Sequence, residues 1–219
     1  MRTFAVGDIH GRFDCLSRAL DEIERRATPA RIIFLGDYID RGPQSKEIVE
    51  TLMRGPRRVG DEWICLKGNH ECMMLETIGE TSGDIRNLDW WLRNGGDATL
   101  ASFGGVIPKP VLDWCEALPV SYASEHHFFV HAGVLPGVPL AEQVPREMLW
   151  IRDSFLDCTD AFEKHIVHGH TPQPYDHKLA AENRTNLDSG AYFTGRLSVG
   201  EFDLSKPGGP RSIFTTDLE

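Results

Sequence analysis

Three segments of this chain end a short apolar run on glycine and then present side chains that bind metal ions. They are Gly7-Asp8-Ile9-His10-Gly11, Gly36-Asp37-Tyr38-Ile39-Asp40-Arg41-Gly42 and Gly68-Asn69-His70-Glu71. Two further segments, His131-Ala132-Gly133 and His168-Gly169-His170-Thr171, put histidine after an apolar run. Glycine allows the backbone to turn tightly at such points. Asp8 and His10, two residues apart, face the same way in extended chain. Carboxylates, an amide oxygen and imidazoles suit manganese, iron or zinc better than a thiolate-seeking metal. Six ligands of this kind exceed the needs of one ion, so two ions sharing a carboxylate is the economical reading. One such motif arises easily by coincidence. Five in order, each closing a strand-like run, do not.

The elements that must position these residues follow from periodicity. Thr3–Val6, Arg31–Leu35 and Trp63–Leu66 read as strands. Between them, Phe13, Leu16, Leu20 and Ile23 mark one helical face, and Ile48, Val49, Leu52 and Met53 mark another that closes at Gly55-Pro56. Strands alternating with helices imply parallel strands joined by crossovers. In an open α/β sheet the ligand crevice lies at the carboxyl ends of such strands. Residues 70–118 read as mostly helical, with the tryptophans there as packing or lid positions. From Val120 the pattern turns to short strands: Val120–Ala123, Phe128–Val130, Ile166–Val167, Asn186–Leu187, Leu197–Phe202 and Ser212–Thr215. These suggest a second, mixed or antiparallel sheet, with Pro207–Pro210 as the last turn.

The 219 residues suit one domain, 1–219, with a helical insert at about 72–118. A net charge of −10 argues against a protein that grips nucleic acid phosphates non-specifically. Five cysteines without a CxxC pair read as reduced, buried thiols, which points to the cytoplasm. No apolar run reaches the roughly 20 residues of a membrane span, and no specific protein partner is named by any segment.

Taken together, GDIHG, GDYIDRG, GNHE, HAG and HGHT resemble the calcineurin-like metallophosphoesterase superfamily, and within it the phosphoprotein phosphatases of bacterial and phage type. The match spans residues 7–171, in the family's motif order. The resemblance implies an α/β fold, a four-layer sandwich of two mixed β-sheets flanked by helices. It implies two divalent ions, manganese first, with iron, zinc, nickel and magnesium as alternatives. Asp8 and His10 would hold the first ion, Asp37 would bridge, and Asn69, His131 and His170 would hold the second. Asp40 and His70 match the catalytic acid dyad. Arg41, Arg152 (in Leu149-Trp150-Ile151-Arg152) and Asn69 match substrate-binding positions. The implied reaction is phosphomonoester hydrolysis by a bridging metal-bound hydroxide on a phosphoprotein or small phosphoester.

Nucleotide-cleaving members, which split diadenosine polyphosphates symmetrically, often lack an acid at the place of Asp40. Its presence favours a serine/threonine or dual-specificity protein phosphatase over the nucleotide alternative. Other residues are read more plainly. His168 reads first as a packing residue, with a role among or behind the ligands as the alternative, and Glu71 lies behind the ligands or at a helix start. His126 and His127 sit at a surface edge, and His165 and His177 are structural or superficial. Asp188, in Asn186-Leu187-Asp188-Ser189-Gly190, makes an Asx-type turn bond.

Overall fold

The computed structural model describes residues 1–78, 85–173 and 181–217; His177 lies outside them. The expected alternation opens the chain: β1 (Arg2–Val6), α1 (Phe13–Arg26), β2 (Ala30–Phe34), α2 (Ser45–Arg54) and β3 (Glu62–Cys65). Helix α1 buries Cys15, Leu16, Ala19, Leu20 and Ile23, an apolar stripe at helical spacing. Helix α2 buries Ile48, Val49 and Leu52 and stops at Gly55. β1 pairs with β2, and β2 with β3, both parallel. There follow α3 (Asn69–Ile78), α4 (Ile85–Trp91), a π turn (Leu92–Gly96), α5 (Asp97–Ser102) and α6 (Lys109–Ala117).

The rest of the chain supplies β4 (Ser121–Ala123), β5 (His127–Val130), α7 (Pro145–Trp150), α8 (Asp153–Leu156), β6 (His165–His168), β7 (Arg184–Asn186), α9 (Ala191–Thr194), β8 (Leu197–Phe202) and β9 (Ser212–Thr216). β4 to β7 form a mixed four-stranded sheet in which β5, β6 and β7 are parallel. β8 and β9 do not join it. They return to the first sheet, in order β3-β2-β1-β8-β9, with β8 antiparallel to β1. A short apolar run fixes which faces are buried but not which neighbour it pairs with, so this placement was outside the reach of periodicity.

Alternation along the strands builds four layers. Phe4, Val6, Ile32 and Phe34 face α1, α2 and α3 in one core cluster. Their neighbours Ala5, Ile33 and Leu35 turn the other way and meet Phe129, Val167 and Leu187 between the sheets. Phe128, Val130 and Ile166 then face Met148 and Phe155 from α7 and α8. Strands buried on both faces read as continuous apolar runs, as these do.

His127 corrects its expected surface position. It is the first residue of β5, is buried, and pairs its Nε2 with the Gly208 carbonyl at 2.9 Å. The strand starts one residue earlier than its apolar core suggests, which puts His127 on the same face as Phe129. His165 is likewise buried, with Nε2 2.8 Å from Thr185 Oγ1, whereas His126 is partly exposed. All five cysteines are free thiols, two of them buried. Among the described residues, no helix is long and apolar enough to cross a membrane.

Candidate active site

Each of the six parallel strands is followed by a polar side chain at its carboxyl end. Asp8 and His10 follow β1, Asp37 follows β2, and Asn69 and His70 follow β3. His131 follows β5, His170 follows β6, and Asp188 follows β7. All eight are buried. The turns that aim them are tight. Among the described residues, every non-glycine in the left-handed region is one of the candidates: His10 (φ 45°), Asp37 (53°), Asp40 (70°), Arg41 (69°) and His170 (67°). Such conformations are disfavoured for side-chain-bearing residues and concentrate at functional sites. Close approach also demands glycine: a Cβ on Gly169 would lie 2.0 Å from Asp8 Oδ1.

Two groups of side chains that could hold an ion share Asp37: His10, Asp37 and His70, and Asp37, His131 and His170. His10 Nδ1 donates to the Ile39 carbonyl (2.8 Å), leaving Nε2 facing Asp37 Oδ2 at 3.3 Å. His131 Nδ1 donates to the Leu35 carbonyl (2.9 Å), leaving Nε2 3.4 Å from Asp37 Oδ1 and 2.8 Å from Asn69 Oδ1. His170 Nδ1 is also 2.8 Å from Asn69 Oδ1. The His131 lone pair thus faces two oxygens, acceptors gathered around one point. Such a set repels itself unless a cation lies among its members, so the donors fit a divalent ion.

Both oxygens of Asp8 take the His170 backbone N–H, at 3.0 and 3.1 Å, which ties its carboxylate to the loop that carries the second group, while His70 lies beside His10 and Asp37 in the first. Burial, then Asp188 and Asp37, push the Asp8 carboxyl well above its usual range. Burial also raises Asp188 to about 6. The pocket therefore holds more negative charge than its protein partners balance, which again suits a cation. Around Asp37 the histidines, His131 foremost, outweigh burial and hold its carboxyl well below the ordinary value.

The acid pair is tightly framed. His70 Nδ1 lies 2.7 Å from Asp40 Oδ2. The same oxygen accepts the Trp91 indole N–H at 2.9 Å, and Oδ1 accepts the Thr99 hydroxyl at 2.7 Å. Burial pulls His70 below the ordinary histidine value, opposed by Asp37 and Asp40. Glu71 ties the loops together: its carboxylate accepts N–H groups of Asp37 (3.0 Å), Tyr38 (2.9 Å) and Gly68 (2.8 Å).

Arg41 lies across the mouth, with terminal nitrogens 2.8 Å from His10 Nε2 and 3.1 Å from His70 Nε2. Its backbone N–H donates to the Gly95 carbonyl at 3.1 Å, and a Cβ on Gly95 would come within 2.5 Å of that nitrogen. On the far side, exposed Arg152 bonds Thr171 Oγ1 at 3.1 Å, and Trp150 meets the His170 ring edge-on at 6.3 Å. His168 stands apart, fully buried against the edge of Phe155 and outside both ion groups.

Periodicity missed Trp91 and Thr99 as partners of Asp40, and Tyr192 at the mouth. It read Asp188 only as a turn residue; the Asx bond is present, Gly190 N–H to Oδ1 at 2.9 Å, but the carboxylate also lies in the pocket. The signal for Asp188 was partial: an acid follows the strand-like Asn186-Leu187, but without the preceding glycine of the other segments.

A fold of two mixed sheets, with two candidate ion groups that share Asp37 at its strand ends, defines a metallophosphoesterase, a hydrolase of phosphoric esters. The chain belongs to the calcineurin-like phosphoesterase family, whose model matches residues 1–211. It is 27% identical over 208 residues to serine/threonine-protein phosphatase 1 of Salmonella typhimurium, covering 90% of this chain and 89% of that one. It is 28% identical over 196 residues to a symmetrical bis(5'-nucleosyl)-tetraphosphatase of a Janthinobacterium, covering 84% of this chain but only 62% of that relative's length. Among solved structures it is similar to the cold-active protein-tyrosine phosphatase of a psychrophilic Shewanella. That likeness has a TM-score of 0.62 at 17% identity, covers 90% of this chain and 74% of the other, and is one of fold alone.

Proposed function

We propose that this chain is a phosphomonoesterase acting on phosphoserine and phosphothreonine in proteins, with phosphotyrosine as an additional substrate. The observation that carries the reading is the Asp40–His70 contact of 2.7 Å, with both Asp40 oxygens committed to fixed donors. An alkoxide is a poor leaving group, and a positioned acid is worth roughly 10²–10⁴-fold in rate.

In this reading Asp8, His10 and Asp37 would hold one divalent ion, and Asp37, Asn69, His131 and His170 would hold the second, with manganese the proposed metal. When bound, such ions supply a water of lowered pKa and positive charge at the phosphoryl oxygens. The side chains do the rest. Arg41, Arg152 and the Asn69 amide grip the phosphoryl oxygens and orient phosphorus for in-line displacement. His70 donates its Nε2 proton to the departing oxygen, and Asp40 on Nδ1 keeps the ring oriented and its charge balanced. Helices α3 to α6 act within the one domain as the scaffold of that acid, and the cytoplasm is its proposed compartment.

The nucleotide-tetraphosphatase reading is supported by relatives so named. It needs the same ion groups but less of the acid, because a phosphoanhydride leaves more readily. A panel of phosphoserine, phosphothreonine and phosphotyrosine peptides beside diadenosine tetraphosphate separates the two, and dominant peptide turnover is expected. Direct displacement also requires inversion at a chiral phosphorus; retention would reveal a phosphoenzyme and contradict the mechanism.

A further inference from the structure

Tyr192 has no part in the ion groups or the acid pair, yet it is built into the mouth. It lies in α9, directly after the Asp188 turn. Ala191 before it is buried, and the Ala191 carbonyl accepts a hydrogen bond from Arg12 at 3.0 Å, so the backbone under Tyr192 is fixed. The ring stands edge-on to His10 at 5.5 Å and to Phe193 at 4.8 Å. The Arg41 guanidinium carbon sits 4.7 Å from its centroid. Among the described residues, no carboxylate lies within ion-pair distance of Arg41.

We propose that Tyr192 is the positioning residue for Arg41, a ring that fixes the phosphate-binding guanidinium without consuming its donors. This rests on the phosphate-binding role given to Arg41 above. The physics distinguishes a ring from the usual acidic partner. A carboxylate would neutralise the guanidinium and occupy the N–H edge that a phosphoryl group needs. An aromatic face attracts the cation through its quadrupole and itself takes up none of the in-plane N–H groups, two of which here face neutral imidazole nitrogens of His10 and His70 at 2.8 and 3.1 Å rather than a carboxylate. A long side chain held in place before binding also loses less rotamer freedom when the anion arrives.

The test compares Tyr192→Leu and Tyr192→Phe on manganese-loaded protein, in wild-type and Arg41→Gln backgrounds. Inorganic phosphate binding is titrated calorimetrically, and KM and kcat are measured on a phosphopeptide. Tyr192→Leu is expected to weaken phosphate binding and raise KM by roughly 3–20-fold, the range of a partly desolvated cation–π contact. kcat and its pH profile should stay within about threefold, because His70 and Asp40 are untouched. Tyr192→Phe keeps the ring and should restore wild-type values. In the Arg41→Gln background, Tyr192→Leu should add nothing further. Tyr192→Phe falling as far as Tyr192→Leu would overturn the proposal in favour of a hydroxyl contact. An undiminished effect in the Arg41→Gln background would overturn it too. Phosphate binding reads the brace even if no phosphopeptide is turned over, a result that would instead count against the proposed function.

Discussion

At the scale of single residues, Asp40 is held by donors far away in sequence. Trp91 and Thr99 reach it across 51 and 59 positions. The ion-binding candidates were legible because glycine, acid and histidine recur at strand ends, a local pattern. The frame of Asp40 was not, because no local pattern encodes a hydrogen bond between distant side chains. A prediction follows from the indole. Trp91→Phe keeps a buried ring and deletes one donor to a charged oxygen, a bond worth about 1.5–3 kcal/mol. We expect kcat on a phosphoserine peptide to fall about tenfold or more, with KM little changed. Steady-state kinetics on that peptide checks it, and a raised KM at unchanged kcat would place Trp91 outside the acid's machinery.

At the scale of elements, β6 carries two buried histidines that belong to neither ion group. Burial lowers His168 to about 3 and His165 to about 4. Both are neutral in the fold and charge more readily when unfolded. Stability is therefore full above the unfolded value near 6.5 and is lost as pH falls toward the folded value. For His168 alone the loss should reach about 2 kcal/mol by pH 5. Urea melts of chelated protein between pH 7 and 5 would show this slope, and a His168→Asn variant should show a shallower one. Equal slopes would mean that His168 is not held neutral. Strand positions were legible from apolar runs as short as the two residues Ile166–Val167. The assignment of β8 and β9 to the first sheet was not, because pairing depends on which edge is free when the chain returns. His127 was misplaced for a smaller reason, a strand boundary shifted by one residue.

At the scale of the whole molecule, three strands from each sheet bring their carboxyl ends to one point, and the buried carboxylates Asp8, Asp37 and Asp188 meet there with histidines. A folded state that binds divalent ions is stabilised by them in proportion to RT ln(1 + [L]/Kd). Manganese at a hundred times its dissociation constant should add about 2.7 kcal/mol. This would appear as a higher melting temperature that a chelator reverses. Asp37→Asn, which alters the shared carboxylate, should abolish most of that shift. The class of enzyme was legible in five motifs, but the substrate was not, since the same ion groups serve esters and anhydrides alike. The most direct test of the account is therefore turnover of a phosphoserine peptide and of diadenosine tetraphosphate by manganese-loaded wild-type and Asp40→Asn proteins. The account predicts that the peptide is the better substrate and that Asp40→Asn costs it roughly 10²–10⁴-fold while barely touching the anhydride. A wild-type preference for the anhydride, with Asp40→Asn nearly neutral on both, would contradict it and assign the same centre to nucleotide hydrolysis.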